Sequence, residues 1–186
     1  GVKAPVVAFG TSWGGFVAPR IALRVPDRVR GMVLFNTSAD APQFSQRAKA
    51  TVLTRLMPIA ALDGMVDRIN LSTLLSTRMR RDRPAIGVGI VRGYRSWGRH
   101  ALIRVVRSVL LDRAAIVDAL PRIAAPTLVV SGGQDSILPA RLGRRIVEGL
   151  PHATYAEVAD AAHLIPLERP EAANRLIAEF LRQLPT

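Results

Sequence analysis

The chain has 186 residues, is 49% hydrophobic and carries a formal charge of +12, so one globular core with room for a small insertion is expected. The absence of cysteine excludes disulfides, thiolate metal sites and a cysteine nucleophile, and it suits a reducing compartment such as the cytoplasm. No apolar run approaches the roughly 18 residues of a membrane span, and the opening residues lack signal-peptide character. In chain order, Val6 to Gly10 is continuous in apolar residues, as a strand buried on both faces should be. It runs into Gly10-Thr11-Ser12-Trp13-Gly14, which fits G-x-S-x-G, the strand-to-helix turn that lifts a serine hydroxyl clear of a parallel sheet. Gly10 and Gly14 are expected to leave room for the tight crossing, and Gly15 to let the helix lie close. The helix extends to about Val25, with Phe16, Val17, Ile21, Ala22 and Val25 at helical spacing and a kink expected at Pro19. Gly31 to Asn36 is a second buried strand, and strand, helix, strand at this spacing predicts a right-handed parallel crossover.

From Asp40 to Asp118 no strand pattern stands out, and short helical segments are broken at Pro42, Pro58, Gly64, Pro84 and several glycines. Ala101 to Leu111 is the clearest helix, with Leu102, Ile103, Val106, Val109 and Leu110 on one face. Residues 40–118 are therefore expected to form a helical cap inserted into an α/β core made of residues 1–39 and 119–186. Ten arginines lie between Arg78 and Arg113 against two acids, Asp82 and Asp112. Such a patch could attract nucleic acid, anionic lipid or an acidic substrate. No nucleic-acid motif or run of stacking aromatics accompanies it, which favours a solvated helical face and no nucleic-acid partner.

Alternation then resumes. Pro126 to Ser131 is a third strand, turning at Gly132-Gly133-Gln134-Asp135; a helix spans about Pro139 to Leu150, Ala153 to Val158 is a fourth strand, and a last helix covers Pro170 to Gln183. Three polar residues thus fall where a strand ends and a loop begins: Ser12, Asp135 and His163. In an open parallel sheet those ends share one edge, and that edge carries the binding crevice. A serine needs a neighbouring base to act as a nucleophile. His163 would take and return the proton while Asp135 fixes the imidazole tautomer, and the Trp13 backbone N–H would contribute to an oxyanion hole. Asp40 is the rival acid, His100 and His152 are the remaining histidines, and Asp160 is expected to shape the histidine loop. The Trp13 indole reads equally as a pocket wall or as core packing.

The segments GTSWGG, PTLVVSGGQDSILP and AAHLIPLERPEAANRLIAEFL resemble the elbow, acid turn and histidine loop of the α/β-hydrolase superfamily. Within it the chain is most similar to small-cap members of the enol-lactonase, esterase and cofactor-free haloperoxidase type. The resemblance implies a partial α/β-hydrolase fold, a four-stranded mostly parallel sheet with flanking helices, whose strands lie side by side in chain order. It further implies hydrolysis of an ester, thioester or lactone through an acyl-enzyme on Ser12, with no cofactor and no metal. The family places further strands and a second oxyanion donor before the elbow, so the chain looks like a carboxyl-terminal portion, and feeble activity is expected of it alone. Two other readings are a catalytically silent interaction module and a basic anion-binding protein. The elbow strand, with Val6-Val7-Ala8-Phe9 uncharged and unprotected by a bulge, is expected to be a free edge that could pair two copies into a homodimer.

Overall fold

The computed structural model describes residues 5–185. Strand β1 (Val6–Thr11) leads through a tight turn into helix α1 (Trp13–Arg24) and on to β2 (Val29–Phe35). Five helices follow: α2 (Phe44–Leu56), α3 (Asp63–Leu74), α4 (Thr77–Asp82), α5 (Pro84–Ser96) and α6 (Arg99–Leu110). The chain closes with β3 (Thr127–Gly132), α7 (Ala140–Gly149), β4 (Ala153–Val158), the single turn α8 (Ile165–Glu168) and α9 (Pro170–Gln183). The four strands form one parallel sheet in the order β1-β2-β3-β4, as expected. Because successive side chains of a strand face opposite ways, β2 serves two cores at once. Met32 and Leu34 pack with Ala18 and Ala22 of α1 and Ile146 of α7, while Val33 and Phe35 pack with Ile165, Ala173 and Phe180 of the carboxyl-terminal helices. All four strand residues are buried, each contributing on the order of 1.5–3 kcal/mol. This double burial is why β2 and β3 read as unbroken apolar runs. Helix α1 continues through Pro19 to Arg24, so the proline does not end it.

Contacts divide the chain into two compact units, residues 1–40 with 116–186, and residues 41–115. The first closes on itself where the chain leaves and returns, for the Ile116 N–H donates to the Ala39 carbonyl at 2.8 Å. The second unit is helical throughout its regular structure. Four of its arginines, Arg78, Arg81, Arg95 and Arg99, meet acids of the same unit. Arg99 forks onto both carboxylate oxygens of Asp63 at 2.8 and 3.1 Å and also donates to the Met57 carbonyl. Arg95 meets Asp67 at 2.5 Å, and Arg81 meets Asp82 at 2.8 Å. The Asp63 carboxyl is accordingly held below its usual range by the Arg99 hydrogen bond. The Tyr94 hydroxyl donates to Asp67, and burial together with that bond pushes its ionisation up to about 12.

Among the described residues β1 pairs on one side only, and Val6 and Phe9 are 38% and 50% exposed. The expected absence of a bulge needs correction. Pairing slips between Val6↔Val29 and Val7↔Gly31, so Arg30 is the extra residue; it lies on β2, and the outer edge of β1 stays regular from Val7 onward. Such an edge is a template for another strand. Light scattering of the purified chain should therefore show concentration-dependent association, and Phe9→Lys, which sets a charge at the exposed side chain of that strand, should weaken it. A chain that stays monomeric at high concentration would refute this.

Candidate active site

Three strand ends place the polar residues. Gly132 closes β3 and Asp135 follows it in a turn, its N–H donating to the Gly132 carbonyl at 3.2 Å. The Asp135 carboxylate is fully used. Its Oδ1 accepts from the Ile137 and Leu138 N–H groups at 2.8 and 3.0 Å, and its Oδ2 lies 2.7 Å from His163 Nδ1. Both residues are buried, at 5% and 2% exposure, so this contact works at low dielectric, where a charge-assisted hydrogen bond is strong. Two backbone donors orient the carboxylate through Oδ1 and leave Oδ2 facing His163 Nδ1, a geometry that suits the Nδ1–H tautomer of a neutral imidazole.

Ser12 sits between β1 and α1 at φ 52° and ψ −110°, a conformation costly for any residue with a Cβ, by about 1–3 kcal/mol. The surroundings enforce it. The Ser12 N–H donates to the Phe35 carbonyl at 2.9 Å, its carbonyl accepts from the Phe16 N–H at 3.1 Å, and the Thr37 hydroxyl donates to the same carbonyl at 3.1 Å. Its side chain makes no capping bond to α1, so the hydroxyl is not consumed as an ordinary N-cap. A strained serine thus stands at the positive end of a helix, on the sheet edge that also carries a buried Asp–His pair.

The chain-wide comparisons point the same way. A family model described as serine aminopeptidase, S33, matches residues 1–170. The chain belongs to the α/β-hydrolases. It is 30% identical over 183 residues to BpoC of Mycobacterium tuberculosis, a protein whose name describes a non-heme bromoperoxidase, covering 95% of this chain and 68% of that one. It is 26% identical over 193 residues to 3-oxoadipate enol-lactonase 2 of Acinetobacter baylyi, covering 98% of this chain and 66% of the relative. Among solved structures, a thermophilic esterase from Thermogutta terrifontis superposes with a TM-score of 0.86 at 26% identity, over 98% of this chain and 66% of that one. The chain thus spans about two thirds of the length of these relatives.

The rest of this α/β-hydrolase's edge separates the candidates further. Asp40 meets Arg145 of α7 at 2.9 Å and the Ser38 hydroxyl, not His163. His152 accepts through its carbonyl from the Thr127 N–H, beside the opposite end of the sheet, and His100 is exposed on α6. Asp160 takes Arg169 at 2.8 Å in the histidine loop, a shaping contact. The Trp13 N–H lies in the first turn of α1, where no intrahelical carbonyl is available to it. The Trp13 ring is 52% exposed, which rules out core packing. Among the described residues no group of three or more acid and histidine side chains is arranged to hold a metal ion.

The glycine expectation holds at Gly10 and Gly15 and fails at Gly14. A Cβ on Gly10 would stand 2.4 Å from the Gly14 carbonyl carbon and 2.5 Å from the Gly15 nitrogen, and one on Gly15 would stand 2.5 Å from the Thr37 side chain. One on Gly14 would meet nothing within 4 Å, so at Gly14 it is the backbone that is approached, not the missing side chain. Sequence reasoning passed over Asn36, Thr37 and Glu168. Glu168 is buried and accepts from the Ala162 N–H at 3.1 Å, tying down the residue before His163. Their only trace in the sequence is polarity at the close of an apolar strand and one acid in an apolar turn, which is common in loops.

Proposed function

We propose that this protein is a serine hydrolase that cleaves an ester, thioester or lactone through an acyl-enzyme on Ser12. The observation that carries this reading is the buried His163–Asp135 contact at 2.7 Å, with the second carboxylate oxygen occupied by two N–H donors. An aspartate so held stabilises the imidazolium formed when His163 Nε2 takes the Ser12 proton. The Ser12 oxygen then attacks the carbonyl carbon, and the Trp13 N–H faces the oxygen that becomes negative, aided by the positive end of α1. Collapse expels the alcohol, thiol or ring oxygen with the proton from His163, and water repeats the sequence to free the acid. The names of two relatives, an enol-lactonase and an esterase, support the carbonyl class. The test is covalent labelling by a fluorophosphonate, which reports an activated serine without requiring the natural substrate. Labelling should occur in the native protein and vanish in Ser12→Ala, and undiminished labelling or hydrolysis in that variant would refute the proposal.

A further inference from the structure

The side chain of Asn36, which the chemistry above does not use, makes three hydrogen bonds within this edge, as many as that of Asp135. Its carboxamide nitrogen donates to the carbonyls of Ala162 and His163, at 2.8 and 2.7 Å, and its oxygen accepts from the Gly132 N–H at 2.6 Å. Its own N–H donates to the Val130 carbonyl at 2.9 Å. The carbonyl of the same peptide unit, that of Phe35, receives the Ser12 N–H. The side chain is 1% exposed, and the residue sits at φ 43°, the left-handed region that asparagine tolerates better than most residues. Only a carboxamide fits, because the site needs two donors aimed at two carbonyls and one acceptor aimed at an N–H. Aspartate would face those carbonyls with oxygen, and an aliphatic residue would leave three buried polar groups unsatisfied.

We propose that Asn36 is a positioning residue that sets His163 relative to Ser12. The role rests on the serine-hydrolase reading of this edge. One peptide unit and one side chain join the turn bearing Ser12, the end of β3 before Asp135, and the backbone of His163 itself. Gly132 shows how little slack the assembly has: a Cβ there would stand 2.3 Å from the Ala162 carbonyl oxygen. A proton transfer between Ser12 and His163 depends on their separation, and a misplacement of about 1 Å can cost on the order of 10²-fold in rate. Losing the carboxamide frees the backbone of the base while the Phe35 carbonyl still holds Ser12, so the effect belongs in kcat and not in KM.

Two variants separate the side chain from the backbone. Asn36→Gly keeps the positive φ and deletes the carboxamide, while Asn36→Asp keeps the shape and removes the donors. In the native protein the His163 Nδ1 proton, held against Asp135, should give a downfield resonance in the proton NMR spectrum, assigned by its loss in His163→Gln. Both Asn36 variants should lose or broaden that resonance while still unfolding cooperatively. Fluorophosphonate labelling should slow by about 10²-fold, and kcat on an activated ester should fall with KM unchanged. A native-like resonance and labelling rate in both variants would overturn the proposal. So would absence of the resonance from the native protein, or failure of both variants to fold, which would make Asn36 a folding residue only. Ser12→Ala keeps the two questions apart: if hydrolysis survives it, the serine-hydrolase reading fails, and the resonance still reports whether Asn36 holds His163.

Discussion

Replacing Asp135 by asparagine should lower Ser12-dependent turnover by about 10⁴-fold, while Asp40→Asn should leave it within a small factor of native. The contrast follows from atoms. Asparagine at position 135 keeps the shape and can still accept from the Ile137 and Leu138 N–H groups through its oxygen, so the turn survives. It then presents an NH₂ to His163 Nδ1, 2.7 Å from where a carboxylate oxygen lay. Nδ1 must accept instead of donate, the ring proton moves to Nε2, and Nε2 can no longer receive the serine proton. The variant should also lose the stabilisation of the imidazolium. Asp40→Asn removes only an ion pair with Arg145, whose side chain is 57% exposed, and partly exposed pairs contribute little. Steady-state turnover of an activated ester by the two variants is the measurement. A larger loss in Asp40→Asn than in Asp135→Asn would transfer the acid's role to the end of β2.

Thermal unfolding should separate Gly10→Ala from Gly14→Ala, two changes that look alike in the G-x-S-x-G pattern. At Gly10 the new methyl meets backbone atoms of Gly14 and Gly15, at 2.4 to 2.5 Å. Backbone in the first turn of α1 cannot swing aside as a side-chain tip can, and Ser12 is already strained between them. The cost is the overpacking kind, about 1–3 kcal/mol or more, equivalent to roughly 2–4 °C in Tm per kcal/mol for a chain of this size. At Gly14 the methyl meets open space inside a helix, where alanine is the better residue by about 0.5–1 kcal/mol. Gly14→Ala should therefore melt at or slightly above the native temperature. Equal melting of the two variants would mean that strand β1 and helix α1 do not approach as closely as described.

Strands β2 and β3 were legible in the sequence because burial on both faces writes an apolar run, whereas β1 and β4, partly exposed at the two edges of the sheet, were placed by apolar content and by the alternation of strands with helices; all four lie within a few residues of their expected bounds. Ser12, Asp135 and His163 could be singled out as candidates for a related reason: each follows a strand where it gives way to a glycine-rich or polar turn, and parallel strands bring such points to one edge. The helical stretch between β2 and β3 was visible as an absence of strands.

Tertiary structure alone decided how that edge is held together. Asp63 and Asp67 lie outside the arginine-rich stretch, so counting charge along the chain left Arg95 and Arg99 without partners; folding α3 beside the segment that carries them supplies the acids. Asp40 and Asp135 both follow a strand, and nothing local distinguishes them. Arg145 on α7 claims the first, and the histidine loop claims the second. Asn36 is the clearest case. A polar residue at a strand end is an ordinary loop signal, and its partners, Gly132, Ala162 and His163, lie about a hundred or more positions away in the chain, where no periodicity reaches. Sequence pattern records which residues avoid water, a property each residue has by itself. Hydrogen-bond partnership belongs to pairs, and it exists only once the chain has closed.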